Sequence, residues 1–471
     1  MKQRKEMSIM PFSSMSFEQF QAAVHTALNP QQSGKQESLK ADQLLKADGL
    51  LASHAVQCLS QPGLEDQVFF YCLCLLETYC RMATYTPVLR ESILKFLLSL
   101  LDSGRTVPNF IKNKLAQVVC LCIMQEYGTT WQSAFKDMIS WWMRSSAHAD
   151  MFLKICWTLN EDMIGMNVSD EKVVRMKDWL RERDIPQLVH IWGLLLTDHS
   201  QPLLVKQALR CISGYACWID VNLTANPDLL SRIYACLAND SFRSKSVECL
   251  TGIVAKGMPV LEKLKLIVYL NLPSVFSGAL QLREEDEDFF EKTCRLLGEC
   301  GVSLYSTAYT QEIADYYIQV LIPVLITYLE ACLSIPECLL SLAQMCTVVP
   351  EYFKGGRPFD ANLFLKLFNV FILVCKYPVD YDFECPGEDE ELFPEIRQAY
   401  AVPFDHCLAL LGSAGNDFML SFISENMTRT DDQKAKELAV FLAFRYCDAH
   451  RGYMFSVQAP GGVKKLTLMI K

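Results

Sequence analysis

Histidine is scarce in this chain, with seven residues at positions 25, 54, 148, 190, 199, 406 and 450 and no HExxH or HxH pair among them. A serine or cysteine nucleophile therefore has no recognisable base, and a zinc hydrolase has no ligand pair. The GxSxG elbow, the GxxxxGK[ST] loop and a GxGxxG turn after a strand are missing as well. Those gaps remove the hydrolase, phosphate-loop and dinucleotide-binding classes that depend on them. The cysteines lack zinc-ribbon or zinc-finger spacing, and Cys72-x-Cys74 and Cys120-x-Cys122 fall in helical patterns. Residues two apart on a helix point about 200° away from each other, so neither pair can chelate one ion. The sequence leads us to expect no enzyme, no cofactor and no metal site.

Charge is also in short supply. Charged residues make up 21% of the chain, and 44 Lys+Arg stand against 54 Asp+Glu for a net of −10. A protein that coats nucleic acid or acidic membrane by bulk charge is excluded, so any phosphate-binding site has to be a local basic patch. Hydrophobic residues reach 51% while Gly and Pro together number 40, which excludes disorder and collagen-like repeats. The opening MKQRKEMSIMPF has a basic start, but Glu6, Ser8 and Pro11 interrupt it before an apolar run accumulates, so we expect a frayed tail and no secretory leader. The 20 cysteines run from Cys58 to Cys447 without a compact block and suit a reducing compartment, cytosol or nucleus. The most lipid-like stretch, 316–335, contains Gln319, Pro323 and Glu330, and no membrane insertion is expected.

What the sequence does hold is helical periodicity. Apolar residues recur at three- and four-residue spacing almost throughout, and strict alternation over six or more residues is rare before 463–470. Breakers such as Pro62-Gly63, Val107-Pro108-Asn109, Ile185-Pro186, Asn226-Pro227 and Gly257-Met258-Pro259 cut the chain into helices. Long apolar helices start near Val68, Asn109, Ala149, Pro202 and Ser241, at spacings of 41, 40, 53 and 39. Helix pairs recurring at about 40–47 residues are the mark of HEAT or armadillo arrays. The long interval contains a charged insertion between Asn167 and Ile185, expected to form an extra helix or a long connection. The predicted fold is all-α, a HEAT-repeat right-handed superhelical solenoid. Two acidic interruptions, 283–288 and 380–391, read as loops, the second as mobile.

The segment richest in information is FIKNKLAQVVCLCIMQEYGTTWQSAFKDMI, residues 110–139. Asn109 is placed to cap its helix, with Lys114, Gln117, Leu121 and Gln125 on one side and Leu115, Val119, Cys122 and Ile123 in the core. Trp131 and Phe135 are expected to pack the next helix onto it. This run resembles the exportin signature of the importin-β family of nuclear export receptors, in particular its tRNA-exporting branch. Residues 68–80 (VFFYCLCLLETYC), Gly214-Tyr215-Ala216-Cys217-Trp218-Ile219-Asp220, and Glu248-Cys249-Leu250 with Lys256-Gly257-Met258 resemble further segments of that branch, in the same order.

The resemblance implies transport and not catalysis: a receptor shuttling between nucleus and cytoplasm that binds Ran-GTP and mature tRNA and meets nuclear pore proteins. It implies four regions: a tail and first helices at 1–64, Ran-facing HEAT repeats at 65–260, further repeats with acidic loops at 261–458, and an atypical tail at 459–471. It also implies a shortened chain, since family members are longer. Glu77, Lys112, Asn113, Lys114, Gln117 and Glu126 are expected at the Ran-facing wall. Arg175, Lys177, Arg181 and Arg183 form the densest basic cluster and are the candidates for tRNA phosphates. The alternative is a HEAT scaffold for other protein partners, without a nucleotide-dependent cargo step.

Overall fold

The computed structural model describes residues 15–165, 171–378, 381, 387–428 and 432–449. The tail at 459–471 and the start before residue 15, expected to fray, lie outside them. Every regular element among the described residues is a helix. The helices cluster into two compact units, Met1–Tyr215 and Ala216–Lys471, so the division falls inside the stretch expected as one Ran-facing region over 65–260.

In the first unit the helices Asp66–Cys80, Asn109–Glu126, Ser146–Gly165 and Pro202–Ala216 lie side by side as one row. They run parallel, because equivalent levels touch: Phe70 meets Phe110, Lys112 meets Asp150, and Cys211 meets the Leu153 carbonyl. The Pro87–Asp102 helix runs the other way, its start lying against the end of Asn109–Glu126 through Arg90 and Glu126. Parallel inner helices alternating with reversed outer ones are the HEAT arrangement. The expected starts near 68, 109, 149, 202 and 241 correspond to helices beginning at Asp66, Asn109, Ser146, Pro202 and Arg243. The charged insertion does form a helix, Glu171–Arg183.

A recurring device locks each level to its neighbour. A buried tyrosine hydroxyl donates to a main-chain carbonyl of another helix: Tyr79 to Leu45 at 2.6 Å, Tyr215 to Cys156 at 2.7 Å, Tyr328 to Phe276 at 2.9 Å and Tyr400 to Leu339 at 2.9 Å. Helical carbonyls keep a second lone pair, so the bond satisfies the buried hydroxyl without breaking the helix.

In the second unit Arg243–Val254, Glu287–Ser303, Pro336–Tyr352 and Glu388–Leu411 form the corresponding row. A Cβ on Gly298 would come within 2.7 Å of the Ser341 carbonyl oxygen, so glycine is what lets these two backbones approach. The lipid-like stretch belongs to Gln311–Ala331, the one described helix long and apolar enough to cross a membrane. Here it is broken by a π-turn at Tyr317–Leu321, and both Tyr317 and Tyr328 spend their hydroxyls on carbonyls within the unit.

Three local expectations are corrected. Pro108 occupies the boundary before Asn109–Glu126, with φ −57° and ψ 152°, so Asn109 is the first helical residue and makes no cap. Residues 283–286 turn the chain as expected, but Asp286 then caps the next helix by accepting from the Phe289 N–H. Likewise 388–391 begin a helix, Glu388–Leu411, where a loop was expected. Asp380, Asp382 and Glu384 lie outside the described residues.

Candidate functional site

The row of the first unit carries a cleft of about 570 Å³. All four of its helices supply the walls, Asp66–Cys80 through Phe70. Asn109–Glu126 contributes Phe110, Asn113, Lys114 and Gln117; Ser146–Gly165 contributes Lys154, Trp157, Glu161 and Asp162; Pro202–Ala216 contributes Gln207 and Arg210. The spacing explains the convergence, since 110, 113, 114 and 117 share one face of a helix, as do 154, 157, 158 and 161. Their opposite faces fill the core: Leu115, Val119, Cys122 and Ile123 are buried as expected. Leu121, read as part of the polar side, is buried too.

Polar contacts span the helices. Lys154 donates to Asn113 at 3.1 Å, and Lys114 donates to Gln117 at 3.1 Å and to the Glu77 carboxylate. Burial would raise the Glu77 carboxyl, but hydrogen bonds from Lys114 and Arg81 hold it below its ordinary value. Burial pushes Asp162 up against the pull of Arg81, with Glu161 and Glu77 adding to the rise. The Arg210 guanidinium lies 3.9 Å above the Trp157 ring, and Phe110 is half exposed at the rim against Phe70. Gly214 makes room for the tryptophan, because a Cβ there would stand 2.7 Å from the ring and 2.8 Å from the Asn160 amide.

Of the six residues expected at the wall, Asn113, Lys114 and Gln117 line this cleft, and Glu77 is tied to it through Lys114. Lys112 does not line it; its ammonium is 2.9 Å from Asp150, which also accepts from Gln207 at 2.8 Å. Glu126 is a correction. It is 3% exposed and its carboxylate is taken up by Arg90, Tyr85 and Thr130, so it belongs to the interior of the repeat. The reason is that Glu126 closes the last turn, where the outer helix covers the inner one. Trp131 and Phe135 are buried packing residues, with Tyr127 edge-on to Phe135 at 5.3 Å.

Arg175, Lys177, Arg181 and Arg183 all sit on Glu171–Arg183, away from the cleft. Arg181 pairs with Asp178 at 2.7 Å and Arg175 approaches Glu171 at 4.0 Å, so their charge is partly spent locally. Arg183 joins Lys136 at a separate hollow with Gln132, Ser133 and Asp184. Sequence reasoning missed Lys154, Trp157, Glu161, Asp162, Gln207 and Arg210. Lys154, Trp157 and Glu161, and separately Gln207 and Arg210, recur at spacings of three and four, but nothing in the sequence joins the two helices.

The chain's similarities point the same way. A family model described as Exportin 1-like protein matches residues 108–250, the stretch that supplies most of the cleft. The Exportin-T of Danio rerio is 28% identical over 371 residues, covering 72% of this chain and 38% of that protein. That of Vanderwaltozyma polyspora is 24% identical over 486 residues, covering 90% and 45%. That of Dictyostelium discoideum is 31% identical over 199 residues, covering 41% and 18%. Among solved structures, "Importin13 cytosolic state" superposes with a TM-score of 0.59 at 12% identity over 80% of this chain and 46% of that one, a likeness of fold. The chain resembles Exportin-T over most of its length, and it spans less than half the length of these curated relatives.

Proposed function

We propose that this chain acts as a nuclear export receptor of the importin-β type, binding Ran-GTP at the cleft of its first unit and tRNA elsewhere on its surface. The observation that carries the reading is the composition of the cleft. Cations Lys114, Lys154 and Arg210 alternate there with Glu161 and Asp162, beside Phe110 and Trp157. A mixed-charge wall with aromatic anchors complements a folded protein partner, whereas a polyphosphate needs uniform positive charge. Phosphate contact falls instead to Arg175, Lys177, Arg181 and Arg183 on the exposed Glu171–Arg183 helix. Shuttling between nucleus and cytoplasm and contact with nuclear pore proteins follow from the same reading, and no catalytic step is part of it.

The test is a binding measurement with Ran loaded with GTP or GDP. The parent chain should bind the GTP form and discriminate against the GDP form, while Asn113→Ala combined with Arg210→Ala should weaken the GTP form at least tenfold. Lys177→Glu, outside the cleft, should leave Ran binding unchanged. Equal affinity for both nucleotide states would instead support a HEAT scaffold with other protein partners.

A further inference from the structure

Outside that cleft, the second unit brings together three thiols, two from either side of one turn and the third about 40 residues earlier in the chain. We infer that Cys294, Cys332 and Cys338 form a buried three-sulfur site for a thiophilic monovalent metal ion of the copper(I) type. Cys294 lies in the middle of Glu287–Ser303, Cys332 ends Ile322–Ala331, and Cys338 stands in the first turn of Pro336–Tyr352. Their sulfur atoms all lie within 4.8 Å of one another, and those of Cys294 and Cys332 are 3.8 Å apart. An ion bonded to three sulfurs at about 2.3 Å in one plane holds them about 4 Å apart, so the thiols stand close to ligating distance before any ion arrives.

The chemistry of the surroundings selects the ion. All three cysteines are buried, and no fourth Cys, His, Asp or Glu completes the group among the described residues. Zinc in a structural site takes four ligands, whereas soft thiolates favour copper(I), which accepts three. Cys338 is the natural anchor. It is the third residue of its helix, where unpaired N–H groups favour an anionic sulfur. The Arg283 guanidinium is fixed one residue before Cys332 by donating to the Ala331 carbonyl at 3.0 Å. Conversion of the three thiols to thiolates on binding the ion expels three protons to solvent and leaves an anionic centre near the Arg283 guanidinium. Access is short, because Cys332 and Cys338 flank a turn whose Leu333 and Ser334 are exposed.

The experiment loads the reduced, purified chain with one equivalent of copper(I) under anaerobic conditions in the presence of a chromophoric copper(I) chelator. X-ray absorption of the loaded parent should show three sulfur neighbours at about 2.3 Å. Cys338→Ala and Cys332→Ala should each lose the equivalent that the parent withholds from the chelator, while Cys300→Ala, on the same helix as Cys294, retains it. A two-sulfur spectrum for the parent overturns the site without recourse to any variant. So does undiminished copper retention by folded Cys338→Ala.

Discussion

Arg90 and Glu126 form an ion pair with 10% and 4% of their side chains exposed, under the Trp131 ring, which the guanidinium faces at 4.9 Å. Tyr85 at 2.5 Å and Thr130 at 2.7 Å donate to the remaining carboxylate positions. Removing one partner of such a pair strands the other charge in the interior, at a cost of about 3–5 kcal/mol. Glu126→Gln should therefore lower the thermal midpoint markedly, and Glu126→Lys should lower it further by facing Arg90 with a like charge. Thermal unfolding by circular dichroism decides the matter: a midpoint unchanged in Glu126→Gln would mean that the pair is open to water.

Lys114 has a different standing, although it lies on the same helix. Its partner Glu77 is partly exposed, and water can replace either group when the other is removed. Lys114→Gln is expected to cost about 1 kcal/mol of stability or less while reducing affinity for Ran-GTP. Loss of binding in step with loss of helical structure would return Lys114 to a packing role.

Gly214 sets the position of Trp157 and hence of Arg210. A methyl group there overfills the space between the indole and Asn160, which should cost about 1–3 kcal/mol and push the tryptophan toward the cleft. Gly214→Ala should thus shift the emission of the half-buried Trp157 indole and weaken partner binding together. Unchanged fluorescence and unchanged affinity would show that the ring does not depend on the glycine.

Asp162 makes the pH dependence specific. Its folded carboxyl titrates above the ordinary value of 3.8, so the folded chain holds this proton more tightly than the unfolded chain. Stability contributed by this group therefore falls as pH rises from 3.8 through the raised value, and the charged form at neutral pH works against folding. Asp162→Asn should raise the thermal midpoint at pH 7, with the gain disappearing well below 3.8. A gain that persists at low pH would point to packing instead of charge.

The helical period and the repeat were legible because burial of one face per helix leaves its mark at every third and fourth residue. Asn113, Lys114 and Gln117 were legible for the same reason, as the polar interruption of an apolar helix. Glu126 looked identical in sequence, and only the Pro87–Asp102 helix folding over it reveals that its charge is matched inside. Trp157 and Arg210 are 53 residues apart, and Cys294, Cys332 and Cys338 come from three elements, so both constellations exist only after the helices stack. The helical geometry that sets Cys72 apart from Cys74 and Cys120 apart from Cys122 has no bearing on thiols brought together by tertiary packing.

The most direct test of the transport reading is the affinity of the chain for tRNA with and without Ran-GTP, measured across salt. Phosphate contacts make the affinity fall steeply between about 50 and 200 mM salt. An export receptor should bind tRNA more tightly with Ran-GTP than alone or with Ran-GDP, by about 5- to 150-fold, and should show the same factor for Ran-GTP when tRNA is varied. A tRNA affinity indifferent to Ran and its nucleotide would contradict the account.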